Sequence, residues 1–364
     1  MNEVSQNKQI HTAFVTGATG LLGNNLVRLL ITHGVRVKAL ARSREKAAKQ
    51  FANLPVEIVL GDMANIAGFA EHLKGVDVLF HTAAFFRDNF KGGRHWKELH
   101  DTNVRGTKEL LDQAYAAGVR RVVHTSSVAV LRGAPGQLTN EIMLRTAGDA
   151  DDYGRSKILA DRVLGGFLEK HPDVSASLVL PGWMVGPGDI GPTSSGQVIL
   201  DFVNRQLPGI PPASFSLVDA RDVAEAMWLA ANRGRSGERY LAAGRHMPMS
   251  ELFQILSRIT GIPAPRRKVP VPLLFLLGAF GEVRARLAGK SERISLAAVR
   301  LMVNERDRSH FDNTKSGQEL GWKFRSAEET LRDTVAWYQE NGFLANTPLR
   351  APARQQANPA SAGQ

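Results

Sequence analysis

The sequence predicts an α/β fold, a doubly wound parallel sheet followed by a smaller C-terminal α/β substrate domain. Three observations carry this. Short apolar runs alternate with helical patterns of 10–15 residues, the pattern of βαβ units. A glycine-rich turn joins the first apolar run to the first helical one. Beyond Pro181 the texture changes, with prolines and glycines clustered at 181–192 and 208–212.

Residues 12–17 read as a buried strand ending in a glycine turn. Residues 21–33 have apolar positions at helical spacing, with Gly34 as a stop. A strand at 35–41, a helix at 43–51, a strand at 56–60, a short helix at 66–73 and a strand at 76–82 follow. Residues 101–117 form a long amphipathic helix ended by Gly118, and 119–126 another strand. Residues 153–169 form a helix stopped by His171-Pro172, and 175–180 a sixth strand. Right-handed crossovers make such a sheet doubly wound. Later come helices at 218–232, 250–261 and 326–341, an apolar, interrupted helix at 269–288, and a strand at 239–243. The expected organisation is a first domain over 1–180, to which 217–245 returns, and a second over 181–345. Residues 346–364 lack aromatics and are rich in Ala, Pro and Gln, which predicts disorder.

The 364 residues carry a net charge of +11, spread as +5 over 1–180 and +6 over the rest. Nucleic-acid binders concentrate their basic residues. The one dense run here is Arg266-Arg267-Lys268, so a solvated basic surface and no nucleic-acid partner are expected. The absence of cysteine excludes disulfides, thiolate catalysis and Cys-bound metal. With no apolar leader in MNEVSQNKQIHTAF, a cytoplasmic setting is expected. The longest apolar stretch, 269–280, has two prolines and falls short of the roughly 20 residues a membrane span needs. His95 and His100 are five apart and no HExxH occurs, so no metal is expected.

Two motifs carry chemistry. Thr16-Gly17-Ala18-Thr19-Gly20-Leu21-Leu22-Gly23 spaces its glycines G-x-x-G-x-x-G between strand and helix. Glycine permits the tight turn and lets backbone N–H groups approach a pyrophosphate at the positive helix end, as in Rossmann-type sheets. The second strand ends in Leu40-Ala41-Arg42-Ser43-Arg44, with no carboxylate for a ribose 2′-hydroxyl. Arginine there can grip a 2′-phosphate, which predicts NADP, with NAD as the second cofactor. Tyr153-Gly154-Arg155-Ser156-Lys157 is Y-x-x-x-K on a helix, both side chains on one face. An ammonium there lowers a phenol pKa, and a serine hydroxyl from Ser126-Ser127 can hold a substrate oxygen. Asp149, Asp151 and Asp152 favour the helix N-terminus.

With these residues the sequence resembles the extended short-chain dehydrogenases/reductases over roughly 12–344. The nearest likeness is to dihydroflavonol-4-reductase-like enzymes and to bacterial proteins filed as hopanoid-associated sugar epimerases, through VGPGDIGPTSSGQVILDFVN; 3β-hydroxysteroid dehydrogenases are more distant. The resemblance implies a catalytic set of Ser127, Tyr153 and Lys157, with Asn103 keeping a proton relay in order. It implies cofactor contacts from Gly17, Thr19, Gly20, Leu21, Leu22, Gly23, Asp62, Met63, Thr82, Ala83 and Ala84, and from Ser126, Pro181 and Gly182. It also implies a homodimer through helices 101–117 and 153–169. Their apolar Leu110, Leu111, Ala114 and Ala117, with Ile158, Leu159, Val163 and Phe167, read as surplus surface for it. Val128-Ala129 follow the serine where sugar dehydratases carry an acid, which argues against dehydration.

The expected activity is NADP-dependent reduction of a ketone or aldehyde on an apolar, ring-bearing substrate. The pocket candidates are Phe85, Phe86, Trp183, Met184 and Phe215. The alternatives are a nucleotide-sugar epimerase, a 3β-hydroxysteroid dehydrogenase-like enzyme, and an NADP-binding regulator without catalysis. The basic residues 205, 221 and 266–268 keep a nucleotide-sugar site open. Segment 269–288 has three readings: a cover over the pocket, a peripheral membrane contact, or ordinary core of the second domain.

Overall fold

A computed structural model of the chain describes residues 9–86, 95–288, 296–345 and 349–350. Among the described residues, ten strands form two sheets. β1 (Thr12–Thr16), β2 (Arg36–Ala41), β3 (Val56–Leu60), β4 (Val78–His81), β5 (Arg121–Thr125), β6 (Ser175–Pro181) and β9 (Arg239–Ala242) pair in the order β3-β2-β1-β4-β5-β6-β9. Every pairing in this sheet is parallel. β7 (Trp183–Val185), β8 (Ser214–Asp219) and β10 (Arg245–Pro248) form a small second sheet with β8 in the middle.

Alternation along buried strands builds two cores at once. In β1, Ala13 and Val15 face one layer and Phe14 the other. The first layer holds α1 (Leu21–Thr32) and α7 (Ala220–Arg233), through Leu22, Leu26, Val223 and Met227. The second holds α4 (Gly106–Ala116) and α5 (Asp152–Lys170), through Leu110, Leu111, Leu164 and Phe167. Strand order reverses between β1 and β4, the crevice where open α/β sheets receive ligands.

α5 begins where it does because Asp151 caps it, its Oδ1 accepting from Gly154 N at 2.8 Å. That is the helix-favouring role read for this acidic run. The helix expected at 101–117 starts earlier, as α3 (Trp96–Leu99), and widens to a π-helical stretch at His100–Arg105 before α4. The helix expected at 66–73 is two 3₁₀ turns, Ile66–Gly68 and Ala70–Leu73. The helical reading of 218–232 merged two elements. β8 runs to Asp219, whose carboxylate accepts from Arg221 N (2.8 Å) and starts α7 at Ala220.

The second unit packs α6 (Ser194–Val203), α8 (Met249–Thr260) and α12 (Ala327–Glu340) on the small sheet through Ile199, Leu252, Phe253, Leu331 and Val335. Tyr338 Oη donates to the buried Asp189 Oδ2 at 2.8 Å, which anchors α12 to the loop after β7. α9 (Val271–Ala288) is one helix and not an interrupted one, because Pro272 falls in its first turn, where no intrahelical N–H is needed. It packs on α10 (Leu296–Glu305) around Leu274 and Val299. α11 (Thr314–Leu320) leads to Trp322, whose Nε1 donates to Asp222 O of α7 at 2.7 Å. The 346–364 tail lies outside the described residues except for Leu349 and Arg350.

The apolar surplus read into α4 and α5 is spent inside the chain. Leu110, Leu111, Ala114, Ile158 and Phe167 are all buried in its own core, and Ala117, Leu159 and Val163 are half-buried. They supply no argument for a homodimer.

A tight point at the edge of the sheet is Gly17, at φ +64°, where a Cβ would lie 2.7 Å from Ala83 N and 2.8 Å from Ala83 Cα. Gly17→Ala adds left-handed strain to an overlap with fixed backbone, each about 1–3 kcal/mol. Urea unfolding should show a loss of about 2 kcal/mol or more; an unchanged midpoint contradicts this contact.

Candidate active site

The turn at residues 17–20 lies at the carboxyl edge of the sheet. Gly23 packs directly on the Gly17 carbonyl, leaving no room for a side chain. Gly20 is the N-cap of α1 and no side chain caps the helix, so its first-turn amides have no side-chain partner. This glycine cradle fits a dinucleotide pyrophosphate. Leu21 and Leu22 bury their side chains, so they and Thr19 border the cradle with backbone. Beside it, Thr82 Oγ1 donates to Thr16 O (2.6 Å) and Ala83 N to Thr16 Oγ1 (3.2 Å), which fixes the 82–84 segment. Across the sheet, Pro181 ends β6, and Gly182 N donates to Ala242 O at 3.2 Å.

α5 presents Tyr153, Lys157 and Asp161 at successive turns of one face. The Ser127 hydroxyl stands next to the Tyr153 phenol and favours its ionised form. Ser127 Oγ accepts from Ala129 N at 3.1 Å, which orients it. Burial pushes the phenol pKa up, the Ser127 hydroxyl works against this, and the carboxylates Asp151 and Asp161 add to the rise. The expected lowering by Lys157 is not what the structure shows. Its Nζ donates to Thr125 O at 2.8 Å, so the ammonium is committed to the last carbonyl of β5. Burial lowers Lys157 itself to about 8, and the Asp161 carboxylate opposes that.

Behind this face lies a buried polar layer that the sequence reading missed. Asp161 Oδ2 accepts from Ser126 Oγ at 3.0 Å and lies 3.6 Å from Arg239 Nε of β9. Asp161 Oδ1 is 3.9 Å from His124 Nε2. Burial raises Asp161 to about 6 against Arg239 and Ser126. Ser126, expected beside the cofactor ribose, thus commits its hydroxyl to Asp161. His81 joins the layer, its ring 5.2 Å from that of His124. Thr107 Oγ1 donates to Asn103 O (2.7 Å), so it accepts from His81 Nε2–H (2.9 Å), and His81 Nδ1 accepts from Thr16 Oγ1 (2.8 Å). The 153/157/161 spacing was the available signal for Asp161; nothing local pointed to Arg239.

Asn103 is a brace. Its Oδ1 accepts from Phe85 N (2.7 Å), and its Nδ2 donates to Phe85 O (3.2 Å) and to Ser156 Oγ (3.0 Å). Ser156 Oγ in turn donates to Tyr153 O at 2.7 Å. The brace sets Phe86 edge-on to Tyr153, ring centroids 5.0 Å apart. Trp183 and Phe215 pair at 4.2 Å across β7 and β8, among the second unit's core residues, and Met184 packs half-buried on the main sheet's core. The pocket candidates therefore fall into separate groups. Arg42 is 84% exposed, with Nε 4.0 Å from Asp62 Oδ2, whose other oxygen accepts from Ala64 N (2.8 Å). Met63 beside it is buried.

Residues 13–243 match the NAD dependent epimerase/dehydratase family. The chain belongs to that family. Its relatives include the sterol demethylase protein B of Methylococcus capsulatus, 36% identical over 92% of this chain and 100% of that protein. The putative dihydroflavonol 4-reductase of Synechocystis is 33% identical over 91% of this chain and 95% of that one. The crystal structure of gox2253 superposes with a TM-score of 0.77 at 31% identity, covering 91% of this chain and 98% of the other. The UDP-glucose 4-epimerase of Thermotoga maritima, at 19% identity and a TM-score of 0.71, shares the fold. This epimerase/dehydratase family member is an extended short-chain dehydrogenase/reductase, an NAD(P)-dependent oxidoreductase.

In this family member the buried His81 titrates far from its free value. Burial, with the Lys157 charge, pulls it from 6.5 to about 3. The unfolded chain takes up that proton first, so the contribution is complete above pH 6.5 and is lost as pH falls toward 3. The loss is on the order of 3–5 kcal/mol. Asp161, raised to about 6, acts in the opposite sense between pH 4 and 6. Urea unfolding from pH 7 to 4 should show a steeper loss for the natural chain than for His81→Gln; parallel curves contradict the assignment.

Proposed function

We propose that the protein reduces a ketone or aldehyde carbonyl on an apolar, ring-bearing substrate, using NADPH. The observation that carries this is the adjacent Ser127 and Tyr153 hydroxyls, with the Phe86 ring against Tyr153. A bound nicotinamide supplies the reducing equivalent to the carbonyl carbon. Tyr153 delivers the proton to the carbonyl oxygen, and Ser127 holds that oxygen as negative charge develops on it. Lys157, its ammonium fixed at Thr125 O, sets a positive charge one turn along α5 from Tyr153 and would help hold the cofactor ribose. Asn103 keeps Tyr153 and the Phe85–Phe86 segment in register.

Relatives support a reductase. Besides the putative dihydroflavonol 4-reductase, a 4-hydroxy-2-methyl-3-oxo-4-farnesyl-3,4-dihydroquinoline-1-oxide ketoreductase of Stigmatella aurantiaca is 29% identical over 88% of this chain. The nucleotide-sugar reading loses one of its candidate cations. Arg221 is engaged by Asp219 (2.6 Å) and Asp333 (2.8 Å).

Tyr153→Phe should abolish turnover by at least about 10²-fold while leaving NADPH binding intact. NADPH oxidation and NADPH fluorescence, against aryl ketones, steroids and flavanonols with UDP-sugars in parallel, read the two properties. Substantial reductase activity in the variant calls for another acid.

The preference for NADPH rests on Arg42, whose exposed guanidinium stands beside Asp62 at the carboxyl end of β2. A charge-assisted pair is worth roughly 1.5–3 kcal/mol. Arg42→Asp should cost about ten- to a hundredfold in NADPH affinity and spare NADH. Equal affinity for both cofactors in the natural chain overturns the preference.

A further inference from the structure

α9 divides into two faces. Leu274 and Phe275 pack toward α10, and Gly278 lies against Leu296. Leu273, Leu276 and Phe280, three and four residues apart, share the outward side and are 45%, 67% and 69% exposed. Three large apolar side chains on one helix face are a poor match for water.

At the base of this helix lies a groove of about 470 Å³, lined by Phe202, Arg205, Leu207, Ile262, Arg266 and Arg267 among others. The backbone builds it: Ile210 N donates to Arg267 O (2.8 Å) and Val269 N to Ile210 O (2.9 Å), two residues before α9 starts. Residues 202–218 and 252–281, the two stretches joined here, contain five basic side chains and no carboxylate. Arg205, Arg258, Arg266, Arg267 and Lys268 are all exposed, and none forms an ion pair among the described residues. None of the residues assigned to the cofactor or to the Ser127–Tyr153 pair lines the groove.

The helix pair is antiparallel, with Gly278 against Leu296 and Leu274 packed with Val299, so the end of α10 returns to the groove end of α9. The loop between β5 and α5, which carries Ser127, is tied to the end of α10 and beyond by Arg145–Glu305 (2.7 Å) and Gly136 N to Asp307 O (2.6 Å).

We propose that the α9 stripe and the Arg205–Arg266–Arg267–Lys268 groove form one surface that docks on an anionic lipid bilayer. The uncompensated cations meet lipid phosphates, and Leu273, Leu276 and Phe280 enter the headgroup–acyl boundary. No helix among the described residues is long and apolar enough to cross the membrane, so the contact is peripheral. It goes beyond the proposed reductase reading and stands without it.

The test is co-sedimentation of the full chain with phosphatidylcholine vesicles, with and without 30% phosphatidylglycerol. Binding should require the anionic lipid and weaken steeply with salt. Arg266→Glu with Arg267→Glu should weaken it at least about twentyfold. Leu276→Asp with Phe280→Asp should weaken it about tenfold or more. All four positions are exposed, so thermal midpoints should hold. Failure to bind, equal binding to neutral vesicles, or binding indifferent to both variants overturns the proposal. If the Leu276/Phe280 variant instead halves the sedimenting mass and no vesicle binding occurs, the face belongs to a second copy of this chain, and the proposal also fails.

Discussion

The end of β1 and the end of β4 touch without an intervening side chain, and the active-site edge depends on that contact. Gly17 lies against the Thr82–Ala83 backbone, and Thr16 is bonded to His81, Thr82 and Ala83. A methyl group at Gly17 would force the two strand ends apart. From this junction the constraint runs outward. The segment after β4 reaches Phe85, Asn103 clamps the Phe85 backbone to Ser156, and Ser156 bonds to Tyr153 O. The nucleotide cradle and the phenol are thereby placed relative to each other by backbone packing and a chain of short polar contacts.

The interior behind Tyr153 is unusual for a parallel sheet. Such sheets bury near-continuous apolar runs, yet β4 ends in His81 and β5 carries His124 one residue before its end, both buried and both pulled toward the neutral form. Lys157 and Asp161 are buried beside them, with Arg239 reaching in from β9. A buried charge is costly unless paired, and here the ammonium has a backbone carbonyl, while the carboxylate has a hydroxyl and a guanidinium. The layer is strongly coupled, so altering one member shifts the protonation of the others.

The second unit does different work. Its core is apolar, and its polar anchors, Tyr338–Asp189 and Trp322–Asp222, fasten the C-terminal helices to the loop after β7 and to α7. Trp183 and Phe215 pack on this unit's core, while Phe86 lies against Tyr153 in the first.

Local pattern settled much of this in advance. The glycine spacing at 17–23 and the Y-x-x-x-K of α5 lie within single elements, where periodicity and turn chemistry suffice. The strands β1 to β6 were legible for the same reason. Other features depend on residues far apart in the chain. β7 and β10, at three and four residues, are too short to show a period, and β8 was absorbed into the helix that Asp219 caps. The pairing of Asp161 with Arg239 exists because β9 adds beside β6, a choice made by packing across 78 positions of sequence. The inward hydroxyl of Ser126, the Asn103 brace and the burial of the apolar positions of α4 and α5 are likewise tertiary outcomes. The sequence by itself determined the glycine turn at 17–23 and the order of Tyr153 and Lys157 along α5. Only the folded chain decided which polar groups face them, because burial and partner choice are properties of surfaces brought together, and no single segment carries them.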